Sequence, residues 1–439
     1  MEWLVIGLFC ASLFLCVFLD ISVLYALVFG LALFLLYGRL RGHALSSLLR
    51  AALSGMASVR SILFVFALIG MLTALWRAAG TIPVIVCHAA LLIRPAVFLL
   101  MTFLLCSGVS FLTGSSFATA ATMGVVCAAM GSALGADPRL TGGAVLSGAF
   151  FGDRCSPVST SALLVATLTH TDIFGNIRQM IRTAFLPFLL TCALLAAAGV
   201  RIRADGEVPD LFTQFGTSFR LHPLAFIPAA LILVLSALRI PVKQTMALSI
   251  LSAVPLCFFL QGMPAGEIVR TAIFGFHPTN PDVALLSGGG ITSMLRVGGI
   301  VCLSSSYAGI FRLTGLLHTM KDGVRHLSER ASSYAAVLAA SIPTAMAACN
   351  QTLAILLTHE LAEGLLSDED LALDLEDSAV IVSPLVPWSI AGTTPLSIIG
   401  SPLSSIPFAF YLILLPITRL IFSLFGRKKQ EAKSERRVS

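Results

Sequence analysis

Long apolar runs recur almost without pause from one end of this chain to the other, and they decide what it can fold into. They cover residues 4–19, 21–37, 61–76, 96–112, 117–134, 141–151 and 174–200, and resume after a polar stretch at 224–238, 245–260, 291–317, 334–348, 353–366, 378–399 and 406–425. A helix needs about 20 mostly apolar residues to cross a bilayer, so these runs predict an all-α polytopic membrane protein with about 10–12 membrane segments. Only 11% of the 439 residues are charged and 57% are hydrophobic, against roughly 25% charged in soluble domains. That composition excludes an isolated cytosolic enzyme.

The formal net charge of +6 is not a nucleic-acid signature, because the basic residues are scattered between apolar runs. Their one dense cluster is the tail Arg427, Lys428, Lys429, Lys433, Arg436 and Arg437, which reads as a positive-inside signal. The ten cysteines lie in or beside apolar stretches with no paired metal-type spacing and read as small hydrophobes. Met1-Glu2-Trp3 lacks the basic n-region of a signal peptide, so the first apolar run is expected to be retained.

Several runs are interrupted by Gly, Pro and Ser, at 108–116, 142–161, 288–306, 341–352 and 383–402. Irregular backbone survives at membrane depth only where protein or a water-filled cavity satisfies its amides, so a site is expected among these breaks. The chain also carries a weak internal echo. Residues 42–55 align without gaps on 262–275, both amphipathic at helical spacing, and Cys155-Ser156-Pro157-Val158 answers Val382-Ser383-Pro384-Leu385. Arg39, Arg41 and Arg50 follow the second apolar run, whereas the matching turn at 261–267 has no Lys or Arg; Asp20 stands where Arg239 and Lys243 stand later. This swap of sign predicts two inverted-topology repeats with broken or re-entrant helices and both termini cytoplasmic. The expected division is repeat one over 1–200, a polar connector over 201–220, repeat two over 221–426 and a basic tail over 427–439.

Three constellations can carry chemistry. Thr113-Gly114-Ser115-Ser116 offers small hydroxyls beside a glycine that lets the backbone unwind, although close helix packing by small residues explains the same composition. In Gly152-Asp153-Arg154-Cys155-Ser156-Pro157, the proline disfavours helix at Ser156. The helix carrying Asp153 should therefore break there, with free carbonyls, Ser156, Ser159 and Thr160 near the carboxylate. An acid at this depth is a functional hypothesis; a structural ion pair with Arg154 or another arginine is the alternative. The third stretch runs from Glu376 and Asp377 to Ser383-Pro384-Leu-Val-Pro387-Trp388, where two prolines predict a second broken segment. Asp377 reads as well as an interfacial cap as a cation contact. Between them, Asn350 and Gln351 place amides in an apolar run, where they need partners. His359-Glu360-Leu-Ala-Glu363 lacks the second histidine of a zinc peptidase, and no G-x-S-x-G elbow occurs, so no enzyme and no cofactor is expected.

The stretches Phe111-Leu-Thr113-Gly114-Ser115-Ser116-Phe117-Ala-Thr119, Gly148-Ala-Phe-Phe-Gly152-Asp153-Arg154-Cys-Ser156-Pro157-Val-Ser159, Gly289-Gly290-Ile-Thr-Ser293-Met294 and Leu375-Glu376-Asp377 with Ser383-Pro384-Leu-Val-Pro387-Trp388 resemble the NhaC family of Na⁺/H⁺ antiporters, in the same order along most of the chain. The resemblance implies a secondary transporter of the cytoplasmic membrane that exchanges Na⁺ and H⁺ by alternating access around a midplane site. Its partners would be the lipid bilayer and the two ions, with a homodimer as one arrangement the sequence permits. The expected cation site gathers Asp153 and Ser156 as direct ligands with Ser159, Thr160, Thr113, Gly114, Ser115 and Ser116, and Asn350, Ser383 and Asp377 complete it. Thr160 and Asn350 stand where many members of the family carry acids. Those neutral side chains fit the alternative of a Na⁺-coupled carrier of a small organic acid or amino acid.

Overall fold

The computed structural model describes residues 2–438 apart from 20, 93–94, 158, 201–210, 239, 279, 281–282, 284–285 and 316–317. Half of the connector, together with Asp20 and Arg239 of the charge comparison, thus lies outside the described residues. The first half contains α1 (Glu2–Phe18), α2 (Val23–Leu40), α3 (Leu45–Ser58), α4 (Arg60–Ala78), α5 (Thr81–Leu92), α6 (Phe98–Thr113), α7 (Ser116–Thr119), a π turn at Ala120–Gly124, α8 (Val125–Ala133), α9 (Pro138–Cys155), α10 (Thr160–Leu168) and α11 (Ile173–Val200). After α12 (Leu211–Gly216) come α13 (Ile227–Ala237), α14 (Val242–Pro255), α15 (Ala265–Phe274), α16 (Leu295–Thr314), α17 (His318–Arg330), α18 (Ser333–Ala348), α19 (Gln351–Ala362), α20 (Asp368–Asp377), α21 (Ala379–Val382), α22 (Ile390–Ile399) and α23 (Phe410–Val438). Among the described residues no β-strand forms, and one antiparallel bridge joins Phe276 and Gly288.

Among the described residues six helices are long and apolar enough to cross a membrane, or up to eight if each of two bent pairs counts as one span; four shorter apolar helices accompany them. The protein is a multi-pass membrane protein. Spans, bent pairs and shorter helices together agree with the broken membrane segments expected from the sequence, and two of the breaks are sharply bent. Leu63–Ala78 and Thr81–His88 meet at 65°, and Asp368–Leu385 and Ile390–Ile399 at 53°.

One interrupted stretch, 142–161, breaks only at its Ser156–Ser159 end. Residues 142–155 are helical despite Gly142, Gly143, Gly148 and Gly152, because these glycines serve packing. A Cβ on Gly148 would lie 2.5 Å from the Phe103 carbonyl oxygen and one on Gly143 2.4 Å from that of Phe408. Small residues one turn apart let α9 press its backbone against α6, as in close membrane helix pairs. The same stretch is capped at its start by Asp137, whose carboxylate accepts the Arg139 amide at 2.8 Å and the Arg139 guanidinium. That side-chain hydrogen bond holds the Asp137 carboxyl below the usual carboxylate range. Asp137→Ala is expected to lower stability by about 1 kcal/mol, the ordinary worth of an N-cap. Because the carboxyl titrates lower folded than unfolded, its contribution is present at neutral pH and fades as pH falls through the folded value. Thermal unfolding of the two proteins at neutral and acid pH checks both statements.

The halves meet by exchange. Helix α3 packs on α16 while α15 packs on α4; α2 lies on α16 while α14 lies on α4; α1 meets α18 and α13 meets α6. Each of these contacts made by one half on the other thus has its counterpart with the halves interchanged. The two amphipathic helices that align in sequence, α3 and α15, occupy matching positions in this scheme.

Candidate functional site

Four broken helices meet around one cavity, and they break in two matching ways. After α6, Gly114 takes a left-handed conformation (φ 61°) and Ser115 an extended one (φ −151°), and the Ser115 hydroxyl accepts the Ala118 amide at 3.3 Å to start the next helix. After α18, Cys349 takes the left-handed conformation (φ 55°) and Asn350 the extended one (φ −148°), and the Asn350 side chain accepts the Leu353 amide at 2.9 Å. The other two breaks follow Ser-Pro. Helix α9 ends at Ser156, and Ser159 caps α10 by accepting the amides of Ser161 and Ala162. The chain after α21 turns through Ser383–Leu385, and Ser389 caps α22 by accepting the amide of Ala391.

Cross-links hold these pieces in register. The Ile390 amide donates to the Cys349 carbonyl at 2.9 Å, the Trp388 indole to that of Met346 at 2.9 Å, and the Gln351 amide group to that of Val380 at 3.0 Å. In the first half the Ser110 hydroxyl donates to the Ala149 carbonyl and that of Ser116 to Asp153. Trp388 is thus a packing residue that anchors a break, and both amides flagged in the sequence have found partners.

Asp153 stands at the C-terminal end of α9, 4% exposed. Its carboxylate accepts the Ser159 hydroxyl at 2.8 Å and the Ser116 hydroxyl at 3.1 Å, and it faces a cavity of about 710 Å³. Of the residues expected at the site, Thr113, Gly114, Ser115, Ser116, Asp153, Thr160 and Asn350 line this cavity, joined by Gln351 and Thr352. Ser159 lies directly behind it as the Asp153 donor. Ser156 is buried at the break, where its carbonyl accepts the Ser159 amide at 3.2 Å; it stands outside the lining.

Two expected residues are drawn elsewhere. Ser383 donates to the Ala379 carbonyl at 2.6 Å and is turned back onto its own helix. Asp377 does not reach the cavity: its carboxylate is held by Arg154, by Thr183 at 3.3 Å and by Arg419 at 3.3 Å. Both oxygens face arginines and the residue lies outside the cavity lining, so Asp377 is the arginine partner of the site. Arg154, fully buried, also donates to the main-chain carbonyls of Met180 at 3.0 Å and Glu376 at 3.3 Å, to Tyr411 at 3.4 Å and to Thr183 at 2.9 Å. The ion pair considered for Asp153 is therefore made by Asp377, and Asp153 has no ion-pair partner among the described residues.

A carboxylate with hydroxyl oxygens around it is ligation of the kind hard cations take. Among the described residues no group of three or more His, Cys, Asp or Glu side chains is arranged to hold a metal ion, so the donor set on the cavity wall is one carboxylate plus neutral oxygens. Two residues near it were noted in the sequence but not assigned to the site. Lys243, at the start of α14, lines the cavity and donates to Ser61. Glu376, at the end of α20, is fully buried with neither carboxylate oxygen hydrogen-bonded.

The profile of the Na⁺/H⁺ antiporter family matches residues 1–171 and 151–427. The chain is 30% identical over 416 residues to the Na⁺/H⁺ antiporter NhaC of Alkalihalophilus pseudofirmus, covering 91% of this chain and 89% of that one. It is 28% identical over 424 residues to the malate-2H⁺/Na⁺-lactate antiporter of Bacillus subtilis (92% and 90%). It is 29% identical over 383 residues to the arginine/ornithine antiporter ArcD of Halobacterium salinarum (83% and 79%). With the family profile matching both halves and an NhaC relative aligned along nine-tenths of its length, this chain belongs to the NhaC family of Na⁺/H⁺ antiporters.

Proposed function

We propose that the protein exchanges Na⁺ for H⁺ across the cytoplasmic membrane as a secondary antiporter, with Asp153 as the carboxylate that binds the ion. The observation that carries this reading is a buried, arginine-free carboxylate on the wall of a cavity lined by hydroxyls and helix breaks. A buried charge without a partner is unfavourable, so Asp153 is stabilised by the Na⁺ that reaches it. The matched breaks and the exchanged helix contacts support two inverted repeats that rock about the site, the architecture that gives alternating access. Both termini are assigned to the cytoplasm from Arg39, Arg41, Arg50 and the basic tail. The reading requires no cofactor and no enzymatic step.

Purified protein in liposomes with a lumenal pH dye tests the proposal. A Na⁺ jump should move protons saturably, and Asp153→Asn should cut the response by about 100-fold or more, as expected for loss of the one charge holding the ion in a dry site. An unchanged response in Asp153→Asn overturns the assignment.

A second reading rests on the size of the cavity. Its 710 Å³ is in the range of small-molecule pockets and far exceeds a bare Na⁺, and Lys243 places a cation on its wall beside Asn350, Gln351 and Thr352. Those groups suit a carboxylate-bearing solute exchanged with Na⁺; one relative is named for antiport of malate and protons against Na⁺ and lactate, another for antiport of the amino acids arginine and ornithine. Small organic acids and amino acids added to Na⁺-loaded vesicles separate the readings: counterflow of Na⁺ that depends on the solute and is lost in Lys243→Ala favours the second.

A further inference from the structure

The charges behind the cavity do not balance. Asp153 and Arg154 come from α9, Asp374, Glu376 and Asp377 from α20, and Arg419 from α23. The two guanidiniums are committed: Arg154 pairs with Asp377, and Arg419 with Asp374 at 3.1 Å and Asp377 at 3.3 Å. Two carboxyls remain, Asp153 and Glu376. They are neighbours across α9 and α20, since Arg154, next to Asp153 in the chain, donates to the Glu376 main-chain carbonyl at 3.3 Å, yet their surroundings differ.

Asp153 has hydroxyl donors and the oxygens of the cavity wall about it. Glu376 has none: it is fully buried, and neither side-chain oxygen has a hydrogen-bond partner. Arg154 is nearby but cannot serve it, because its Nε binds the main-chain carbonyl of Glu376 and its remaining N–H groups go to Met180, Tyr411, Thr183 and Asp377. The other groups acting on Glu376 are Asp377 beside it and, from α9, Asp153; Cys155 also feels its charge. Tyr334 of α18 is spent on the Asp377 carbonyl at 2.9 Å.

An ionised carboxylate in a dry interior needs a cation or an array of donors. Na⁺ requires several oxygen ligands, which Glu376 lacks and Asp153 possesses. A proton requires only the carboxyl itself. We infer that the two surplus carboxyls divide the work, Asp153 holding Na⁺ and Glu376 carrying the proton that Na⁺ displaces. When Na⁺ is bound at Asp153, its positive charge favours the ionised form of Glu376, and the proton leaves for solvent. When Na⁺ leaves, the exposed charge on Asp153 draws a proton back to Glu376. No covalent bond other than O–H forms or breaks, and the site carries the same net charge in both states.

This inference rests on the proposed Na⁺/H⁺ exchange, and its test is read on the full-length protein in detergent. Na⁺ is added in weakly buffered solution while bound Na⁺ and released protons are measured together. Wild type should release protons on binding. Glu376→Gln, which keeps the shape and loses the titration, should still bind Na⁺, release protons only at background, and bind with an affinity that no longer varies with pH. Equal proton release per Na⁺ from Glu376→Gln and wild type overturns the inference alone. Loss of Na⁺ binding in folded Glu376→Gln also overturns it, by making Glu376 a Na⁺ ligand. A wild type that binds Na⁺ without releasing protons overturns both this inference and the exchange reading. Should Glu376→Gln fail to fold, Glu376→Met fills a similar volume without titrating and is judged by the same readouts.

Discussion

Arg154→Met is expected to destabilise the protein by about 3–5 kcal/mol, the cost of leaving one partner of a buried ion pair uncompensated. Arg154 is the hub of the α9, α11, α20 and α23 junction, bonded to Met180 and Thr183 on α11, to Glu376 and Asp377 on α20 and to Tyr411 on α23. Methionine retains much of the apolar stem and none of the donors. Asp377 would then keep only Arg419 and Thr183, and the carbonyls of Met180 and Glu376 would lose a donor in a place water does not reach. The measurement is thermal unfolding of detergent-purified protein followed by size exclusion. The double variant Arg154→Met with Asp377→Asn should recover a good part of the loss, because it removes the orphaned charge and its desolvation penalty together. A double variant no more stable than Arg154→Met alone would show that the carbonyl bonds, and not the charge pair, carry the junction.

Gly152→Ala is the second large effect. The new Cβ would sit 2.3 Å from the Phe111 amide nitrogen and 2.4 Å from the Ser110 Cβ, distances no pair of atoms sustains. The clash is with backbone of α6, so α6 and α9 must part. Overpacking of this kind costs about 1–3 kcal/mol, and more where backbone has to move. The displacement falls next to Asp153 and on the Ser110 bond to the Ala149 carbonyl, so the Na⁺ response should be lost along with stability. Gly108 on α6 provides the control: nothing lies within 4 Å of its Cβ position. Gly108→Ala should be neutral or stabilising by up to about 1 kcal/mol, since alanine favours the helix. Parallel unfolding and transport assays on the two alanine variants check the contrast.

Much of the candidate site was legible because Pro and Gly mark their own consequences. Pro157 forbids helical backbone at Ser156, and Gly114 accepts the left-handed turn that ends α6; from these two breaks one could expect Asp153, Thr113–Ser116 and Thr160 at a common opening. Other features left no such mark. Nothing at Cys349 announces a left-handed residue, and the matching break exists because packing against α22 draws the Cys349 carbonyl to the Ile390 amide. The glycines of 142–152 look in sequence like an interruption, yet they are helical, since only the neighbouring α6 reveals that they are there to be approached. Asp377 looks like a cation contact until Arg154 and Arg419 are seen to take its oxygens.

The amino-acid sequence alone determined the membrane as solvent, the helical class, the helix breaks at Gly114 and Ser156 and the family resemblance, because each follows from local periodicity, length or residue stereochemistry. Which carboxyl is paired and which is left over was decided only by tertiary structure. Arg154 and Asp377 are separated by 223 residues, and the isolation of Glu376 depends on every donor near it being already engaged. Charge balance in a dry interior is a property of neighbours in space, and so the division between an ion-binding and a proton-carrying carboxyl emerges only when the helices are packed.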